Sequence, residues 1–213
     1  LPLTPTGYGD SPYQSLGACA GNHYLIDLDR LADEGLLKKE EIQNIPWGSN
    51  PARVDFGAMY AHRMNVLRQA FQRFTPDGAY ETFVEQNRSW LEDYALFTAL
   101  KDTLGGKPWL EWPEALRLRK ADALAEKRRE LSDEIRLQYF VQYEFDRQWK
   151  ALRSYANAKG VRIIGDVPIY VPLDSADVWA NPELFQLDES RHPEQVAGCP
   201  PDSFTADGQL WGN

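Results

Sequence analysis

The sequence predicts an α/β fold with a buried parallel strand, from three observations around residues 160–171. A long helical pattern ends at Gly160, and the β-branched run 161–164 follows it directly. The order helix, glycine, strand is one step of a βα-repeat, and a short apolar run in this position is typical of a parallel strand covered on both faces. Pro168 cannot donate a hydrogen bond within a sheet, so the strand is expected to end near Val167.

This predicted strand presents a carboxylate, Asp166, close to its carboxyl end. In α/β folds, ligands bind where the strands end. We therefore expect Asp166 to face a binding site.

Helical patterns fill most of the chain before the strand. Apolar residues spaced by three and four predict a helix from Phe56 to about Phe74, with Asp55 as its N-cap and Tyr60 on its core-facing stripe. A second helix is predicted from about Tyr80 to Leu104, and Gly105-Gly106 is expected to end it. From residue 113 to 160 the chain is again helical, with a core-facing stripe made by Val141, Phe145, Trp149, Leu152 and Ala156.

The shorter segments give weaker patterns. Residues 25–29 are predicted to be extended, and Asp29 is predicted to cap a helix over 30–37. Asp174 or Ser175, followed by Asp177, is typical of a helix start, so capping is favoured over catalysis for these acids. Residues 186–213 show no periodicity and predict a long loop, a kind of segment that is often functional.

Composition excludes several classes of function. The net charge of −9 argues against a nucleic acid as the main partner, because phosphate binding requires a basic surface. No apolar run approaches the length of a membrane span, so no membrane partner is expected.

The chain begins without an initiator methionine or a basic, apolar leader, and it ends on residues expected to be ordered, which predicts a segment of a longer protein.

The cysteines and histidines predict neither disulfides nor metal sites. Cys19 and Cys199 form no CxxC pair, which fits a reducing, cytosol-like compartment. His23, His62 and His192 occur in no metal-ligand spacing, so no metal and no cofactor are expected.

Aromatic and polar residues instead suggest a carbohydrate. The chain has seven Trp and ten Tyr, and such rings bind the C–H face of a sugar while carboxylates and amides bind its hydroxyls. The glycine-hinged loop in residues 1–24 can be a plain surface loop or a functional one, and no phosphate-binding glycine motif is present. The candidate sugar-binding residues are Tyr8, Tyr13, Asp166, Asp202, Gln209 and Trp211.

Four longer motifs resemble the 4-α-glucanotransferase family, which includes amylomaltases and disproportionating enzymes. The motifs, in chain order, are LPLTPTGYGDSPYQ with AGNHYLIDLDRL, WLEDYALFTALKD, GVRIIGDVPIYVPLDSADVWA and CPPDSFTADGQLWGN. The resemblance implies a partial (β/α)8 TIM barrel of the α-amylase clan with mostly helical insertions. It implies that residues 1–213 are the N-terminal part of one catalytic barrel domain, with a largely helical insertion at about 30–130.

The resemblance also implies an activity. A segment of an α-1,4-glucan would be transferred to the 4-hydroxyl of another glucan or of glucose, by a retaining double displacement. The partners are then α-1,4-glucans and maltooligosaccharides, in the cytoplasm or in the plastid stroma. Two alternatives are a non-catalytic α-glucan-binding protein and a hydrolase of the α-amylase clan; the lack of a calcium-type acidic loop weighs against the hydrolase.

Residue roles follow from the matched motifs. Asp166 is expected to bind the glucosyl unit at the cleavage site in a supporting role, with Tyr13 stacked under that sugar and Ser11 beside the tyrosine. The loop with Asp202, Gln209 and Trp211 is expected to contact donor or acceptor sugars. Tyr8 and Tyr60 match a second glucan-contact site, which opposes the core position that the helical stripe predicts for Tyr60. The nucleophile, the acid/base glutamate and a third aspartate are expected beyond Asn213, so that no catalytic residue lies in these 213 residues and the isolated chain is expected to be inactive.

Overall fold

The computed structural model describes residues 2–50, 52–166 and 170–212. These residues are mostly helical. The α-helices are α1 Leu28–Asp33, α2 Lys39–Gln43, α3 Phe56–Arg73, α4 Gly78–Thr103, α5 Glu114–Arg117, α6 Ala121–Glu130, α7 Ser132–Ala158 and α8 Ala176–Ala180. Short 3-10 turns occur at Tyr8–Asp10, His23–Leu25, Trp109–Glu111 and Pro182–Leu184.

Two strands, β1 Ala197–Cys199 and β2 Gln209–Gly212, form an antiparallel ribbon. Gly198 pairs with Leu210 and Cys199 with Gln209, and the register shifts between Ala197 and Gly198. Among the described residues, this two-stranded ribbon is the only β-sheet.

The chain forms two compact units. The first consists of Leu1–Ala20, Ser89–Arg136 and Gly165–Asn213, and the second of Gly21–Arg88 and Leu137–Ile164. No helix among the described residues combines the length and the apolar character that a membrane crossing requires.

An aromatic cluster forms the core of the first unit. The rings of Phe97, Trp112 and Trp179 lie 5.2 to 5.7 Å apart, and each ring is at most 4% exposed. The indole of Trp179 donates a hydrogen bond to the carbonyl of Leu116 (3.0 Å), and the guanidinium of Arg119 stacks over the same ring at 4.2 Å. Because its indole N–H has a hydrogen-bond partner, Trp179 can be fully buried, and its ring packs the short helix α8 against the core.

The second unit has an aliphatic and aromatic core and a buried arginine. Its buried cluster contains Ile26, Leu28, Leu31, Leu37, Val66, Leu67, Ala70, Leu137, Phe140 and Val141. Arg63 is 7% exposed and donates to the carbonyls of His23 and Tyr24 (3.2 Å each) and of Ile26. The guanidinium thereby supplies donors to carbonyls at the end of the His23–Leu25 turn, of which that of His23 also accepts from the amide of Ile26 (3.4 Å).

The structure confirms the longer helical predictions. Helix α3 starts after Asp55, whose carboxylate accepts from the amide of Ala58 (3.0 Å) as an N-cap. Helix α4 ends just before Gly105 and Gly106, which both have positive φ angles. Ser175 caps α8 by accepting from the amide of Val178.

Several predictions were wrong. Residues 161–166 form no strand, and Val161 and Ile164 are 55% and 92% exposed. A strand is stable only when another strand pairs with it, and no pairing to 161–166 exists among the described residues. The predicted strand end at Val167 lies outside the described residues.

The other corrections concern local boundaries and faces. Of residues 25–29, Ile26 and Asp27 are extended as predicted, but Leu25 ends a 3-10 turn and helix α1 begins at Leu28 with Asp27 as its N-cap, two residues before the predicted Asp29 cap. Leu152 is 54% exposed, because the buried stripe of α7 stops before that position. Residues 186–213 are not a plain loop, since they contain the antiparallel ribbon.

Candidate functional site

The loop that carries Tyr13 is closed by hydrogen bonds to Ser11. The amides of Gly7 and Gln14 donate to the carbonyl of Ser11 (3.1 and 3.2 Å), and the Ser11 hydroxyl accepts from the amide of Tyr13 (3.3 Å). Local bonds of this type fix the turn without a neighbouring strand. Ser11 therefore has a structural role in shaping the loop beside Tyr13.

Tyr13 and Asp166 are joined directly. The Tyr13 hydroxyl donates to Oδ2 of Asp166 at 2.6 Å, across 153 positions of sequence. This hydrogen bond, and after it burial and the carboxylate charge, raises the pKa of Tyr13. The Tyr13 ring remains 43% exposed, so its face is accessible to a ligand.

The pair offers two kinds of contact to one ligand. An accessible phenol ring can pack against the C–H face of a pyranose, and a carboxylate accepts hydrogen bonds from its hydroxyl groups. The short bond between them fixes the carboxylate relative to the ring. The geometry therefore suits a neutral, hydroxyl-rich ring.

Asp202 organises the connection between β1 and β2. Its Oδ1 accepts from the amides of Thr205 (2.9 Å) and Phe204 (2.8 Å), and these bonds lower the pKa of Asp202. The Asp202 amide donates back to the Thr205 carbonyl (3.0 Å). Asp202 thus shapes the tip of the ribbon, while the exposed Gln209 lies at its base opposite Cys199.

The remaining candidates are Tyr60, Tyr8 and Trp211. Tyr60 belongs to the second unit and is 57% exposed, so the core position predicted from the helical stripe is wrong. Its ring meets that of Tyr24 edge-on at 5.9 Å, and Tyr24 in turn meets Phe56 at 6.4 Å. The side chains of Tyr8 and Trp211 lie outside the part of the chain that the structure describes.

Sequence reasoning missed an open groove in the first unit. Tyr170 and Phe185 line it together with the amides Gln186 and Gln195, around a volume of about 320 Å³. Aromatic and amide groups in one groove are again suited to a sugar. The groove was missed because residues 186–213 were interpreted as an aperiodic loop. The one indication in the sequence was an aromatic residue next to an amide, Phe185-Gln186.

Comparison with known proteins decides the family. The model of the 4-alpha-glucanotransferase family matches residues 1–213. The chain belongs to this family. A 4-alpha-glucanotransferase of Thermus thermophilus is 51% identical over 219 residues, and one of Clostridium butyricum is 45% identical over 216 residues.

A solved structure agrees with the sequence comparison. The amylomaltase from Streptococcus agalactiae, determined in complex with acarbose, superposes with a TM-score of 0.95 at 45% identity and matches all of this chain. The chain covers 44% of that structure, and 43% and 44% of the Thermus and Clostridium relatives. The chain thus spans less than half the length of these family members.

Proposed function

We propose that this chain is part of a 4-α-glucanotransferase, which moves a segment of an α-1,4-glucan to the 4-hydroxyl of another glucan or of glucose. The observation that carries the proposal is the Tyr13–Asp166 hydrogen bond, in a chain that the family model matches from residue 1 to 213. The relatives in Thermus thermophilus and Clostridium butyricum bear the name of this activity. The acarbose complex of the Streptococcus agalactiae amylomaltase supports a glucan-like ligand.

The proposed fold is a (β/α)8 barrel of the α-amylase clan. Residues 1–213 form the N-terminal part of one catalytic domain, and the helices at about 30–130 are a largely helical insertion. The TM-score of 0.95 to an amylomaltase supports this assignment. Residues 161–166 become a barrel strand when neighbouring strands from the longer protein lie beside them, because only then are their backbone groups paired.

In this reaction the residues of this chain bind and orient the sugar. The Tyr13 ring supports the glucosyl unit at the cleavage site from below, and the Asp166 carboxylate binds its hydroxyls. Asp202, in the connection between β1 and β2, and Gln209 and Trp211, in β2, contact donor or acceptor sugars. The bond-breaking nucleophile and the acid/base glutamate come from the remainder of the longer protein, so the 213-residue chain alone is inactive.

Tyr8 and Tyr60 belong to a second glucan-contact site in this proposal. The 57% exposure of Tyr60 supports its availability to a ligand. The location is the cytoplasm or, in plants, the plastid stroma; a Solanum tuberosum relative, 39% identical, is named as chloroplastic/amyloplastic.

The test uses a longer protein that contains this chain, incubated with maltotriose. We expect glucose together with maltooligosaccharides longer than the substrate, because a sugar hydroxyl replaces water in the second displacement. Release of glucose and maltose without longer products would show a hydrolase. Binding without turnover would support the glucan-binding alternative, and either result overturns the proposal.

Variants then test the site. Asp166→Asn is expected to lower kcat/KM by about 10- to 150-fold, the equivalent of one hydrogen bond to a charged group. Glu183→Gln, an exposed acid of the same unit, is the matched control and is expected to leave kcat/KM unchanged. Equal kcat/KM values for the two variants would remove Asp166 from the site.

A further inference from the structure

The segments that follow Tyr13 and Asp166 meet in a junction formed by residues 16–18 and 175–177. The amide of Ala176 donates to the carbonyl of Leu16 at 2.8 Å, and the amide of Ala18 donates to Oδ2 of Asp177 at 2.9 Å. Ala176 is 5% exposed. Two hydrogen bonds of opposite direction therefore fix the alignment of the two segments.

The Tyr13 side of the junction is rigid. The Ser15 hydroxyl donates to the carbonyl of Gly17 (3.0 Å) and accepts from its amide (3.2 Å), and Ser15 is only 3% exposed. A displacement of Ala18 is therefore transmitted back toward Tyr13 and is not absorbed by the intervening turn.

The Asp166 side is anchored on the core of the same unit. The carboxylate of Asp174 accepts from the amide of Trp109 (3.1 Å) and pairs with the ammonium of Lys101. The indole of Trp109 donates to the carbonyl of Leu173 (2.6 Å). These bonds fix the chain immediately before α8, so that Asp177 has a defined position.

Helix capping accounts for only part of the bonding of Asp177, whose carboxylate accepts from its own backbone amide as well as from that of Ala18. Ser175 already supplies the N-cap of α8 through its hydroxyl. The Asp177 carboxylate is half-buried, and burial raises its pKa. Burying a carboxylate costs free energy unless hydrogen bonds compensate for the lost water. One such bond reaches another segment of the chain, since the Asp177 carboxylate accepts from the amide of Ala18.

We propose that Asp177 is a positioning residue for the Tyr13–Asp166 pair. By holding the amide of Ala18, its carboxylate sets the Tyr13 loop so that the phenol hydroxyl reaches the Asp166 carboxylate at 2.6 Å. A shift of about 1 Å is sufficient to break such a bond. The consequence for glucan binding rests on the proposed function, whereas the positioning itself does not.

The experiment measures the pKa of the Tyr13 phenol in a longer protein that contains this chain, by NMR of labelled tyrosine with Tyr13→Phe providing the assignment. Asp177→Leu, of similar size but without an acceptor, is expected to return the Tyr13 pKa toward its ordinary value. Asp177→Asn keeps an oxygen for the Ala18 amide and is expected to retain the raised pKa. Circular dichroism establishes that each variant is folded.

Two results would overturn the proposal. One is a raised Tyr13 pKa in folded Asp177→Leu; the other is a loss of the raised pKa in Asp177→Asn as large as in Asp177→Leu. If Asp177→Leu does not fold, Ala18→Pro removes the donor and keeps the acid, and an unchanged Tyr13 pKa there refutes the role equally. No glucan is used, so a failure of glucan binding bears on the proposed function alone.

Discussion

Replacing Gly17 by alanine tests how tightly the Tyr13 side of the junction packs against α4. A Cβ atom at residue 17 would lie 2.5 Å from Cδ2 and 2.9 Å from Cε2 of Tyr94. Tyr94 is only 4% exposed. Carbon atoms in ordinary contact are about 3.5–4.0 Å apart, so the overlap is about 1 Å. The buried ring has little room to move away from the added methyl group.

The expected cost follows from this overlap. Overpacking of a well-packed core costs about 1–3 kcal/mol. For a chain of this length, each 1 kcal/mol lowers the midpoint of thermal unfolding by about 2–4 °C. We therefore expect a decrease of about 2–12 °C, measured by circular dichroism in the aromatic region.

Controls separate this overlap from a general effect of removing a glycine. Gly78→Ala, at the start of α4 with open space around its Cβ, is expected to leave the midpoint unchanged or slightly raised. In a Tyr94→Leu background, the cost of Gly17→Ala is expected to fall, because the smaller side chain removes the overlap. An unchanged midpoint for Gly17→Ala, or an equal cost in both backgrounds, would refute the reasoning.

Three further changes test other parts of the two units. Ser175→Ala removes the N-cap of α8 and is expected to cost about 1 kcal/mol in unfolding free energy, with Ser175→Asn, which keeps an acceptor, restoring most of it. Arg63→Met removes the side-chain donor from three carbonyls, of which only that of His23 keeps a backbone donor, the amide of Ile26, and is expected to cost about 2–4 kcal/mol in urea unfolding. Full rescue by Arg63→Lys would contradict the fork geometry. Burial, with the nearby Arg63 charge, lowers the pKa of His23 to about 4, below its ordinary value of 6.5. The unfolded chain then binds the proton first, so the contribution of His23 is complete above about pH 6.5 and is lost as the pH falls toward about 4, by up to about 3 kcal/mol. His23→Gln should flatten this part of the stability profile, and an unchanged profile would contradict the assignment.

Helices were predictable from sequence because their signals are local. Asp55 caps α3 through an amide three residues away, and two glycines end α4. The spacing of apolar residues by three and four nevertheless predicted more burial than the structure has. Such a spacing identifies one face of a helix, but it does not show whether another element covers that face. Tyr60 and Leu152 both occupy such a face and are exposed.

Strands depend on a partner that local patterns do not identify. The β-branched residues around Ile164 favour an extended chain, but pairing requires another strand at the correct distance. The ribbon of β1 and β2 was missed because its two short strands have little apolar periodicity. Their backbone groups are nevertheless paired with each other. Both errors concern non-local hydrogen bonds.

The candidate site shows the same division. The resemblance to a family indicated that Tyr13 and Asp166 serve one sugar, but their direct hydrogen bond spans 153 positions and has no sequence pattern. The contact of Asp177 with Ala18 spans 159 positions, and capping explained the acid adequately until the structure showed where its carboxylate lies.

The register shift at Gly198 has a consequence for the loop of the ribbon. A Cβ at residue 198 would lie 2.2 Å from the carbonyl oxygen of Gln209, so any larger residue would force the strands apart or slip them by one position. Because neighbouring side chains on a strand point to opposite faces, such a slip would exchange the faces of Gln209 and Leu210. A single hydrogen atom in place of a methyl group thereby decides which face of the ribbon carries the amide of Gln209 and which carries the isobutyl group of Leu210.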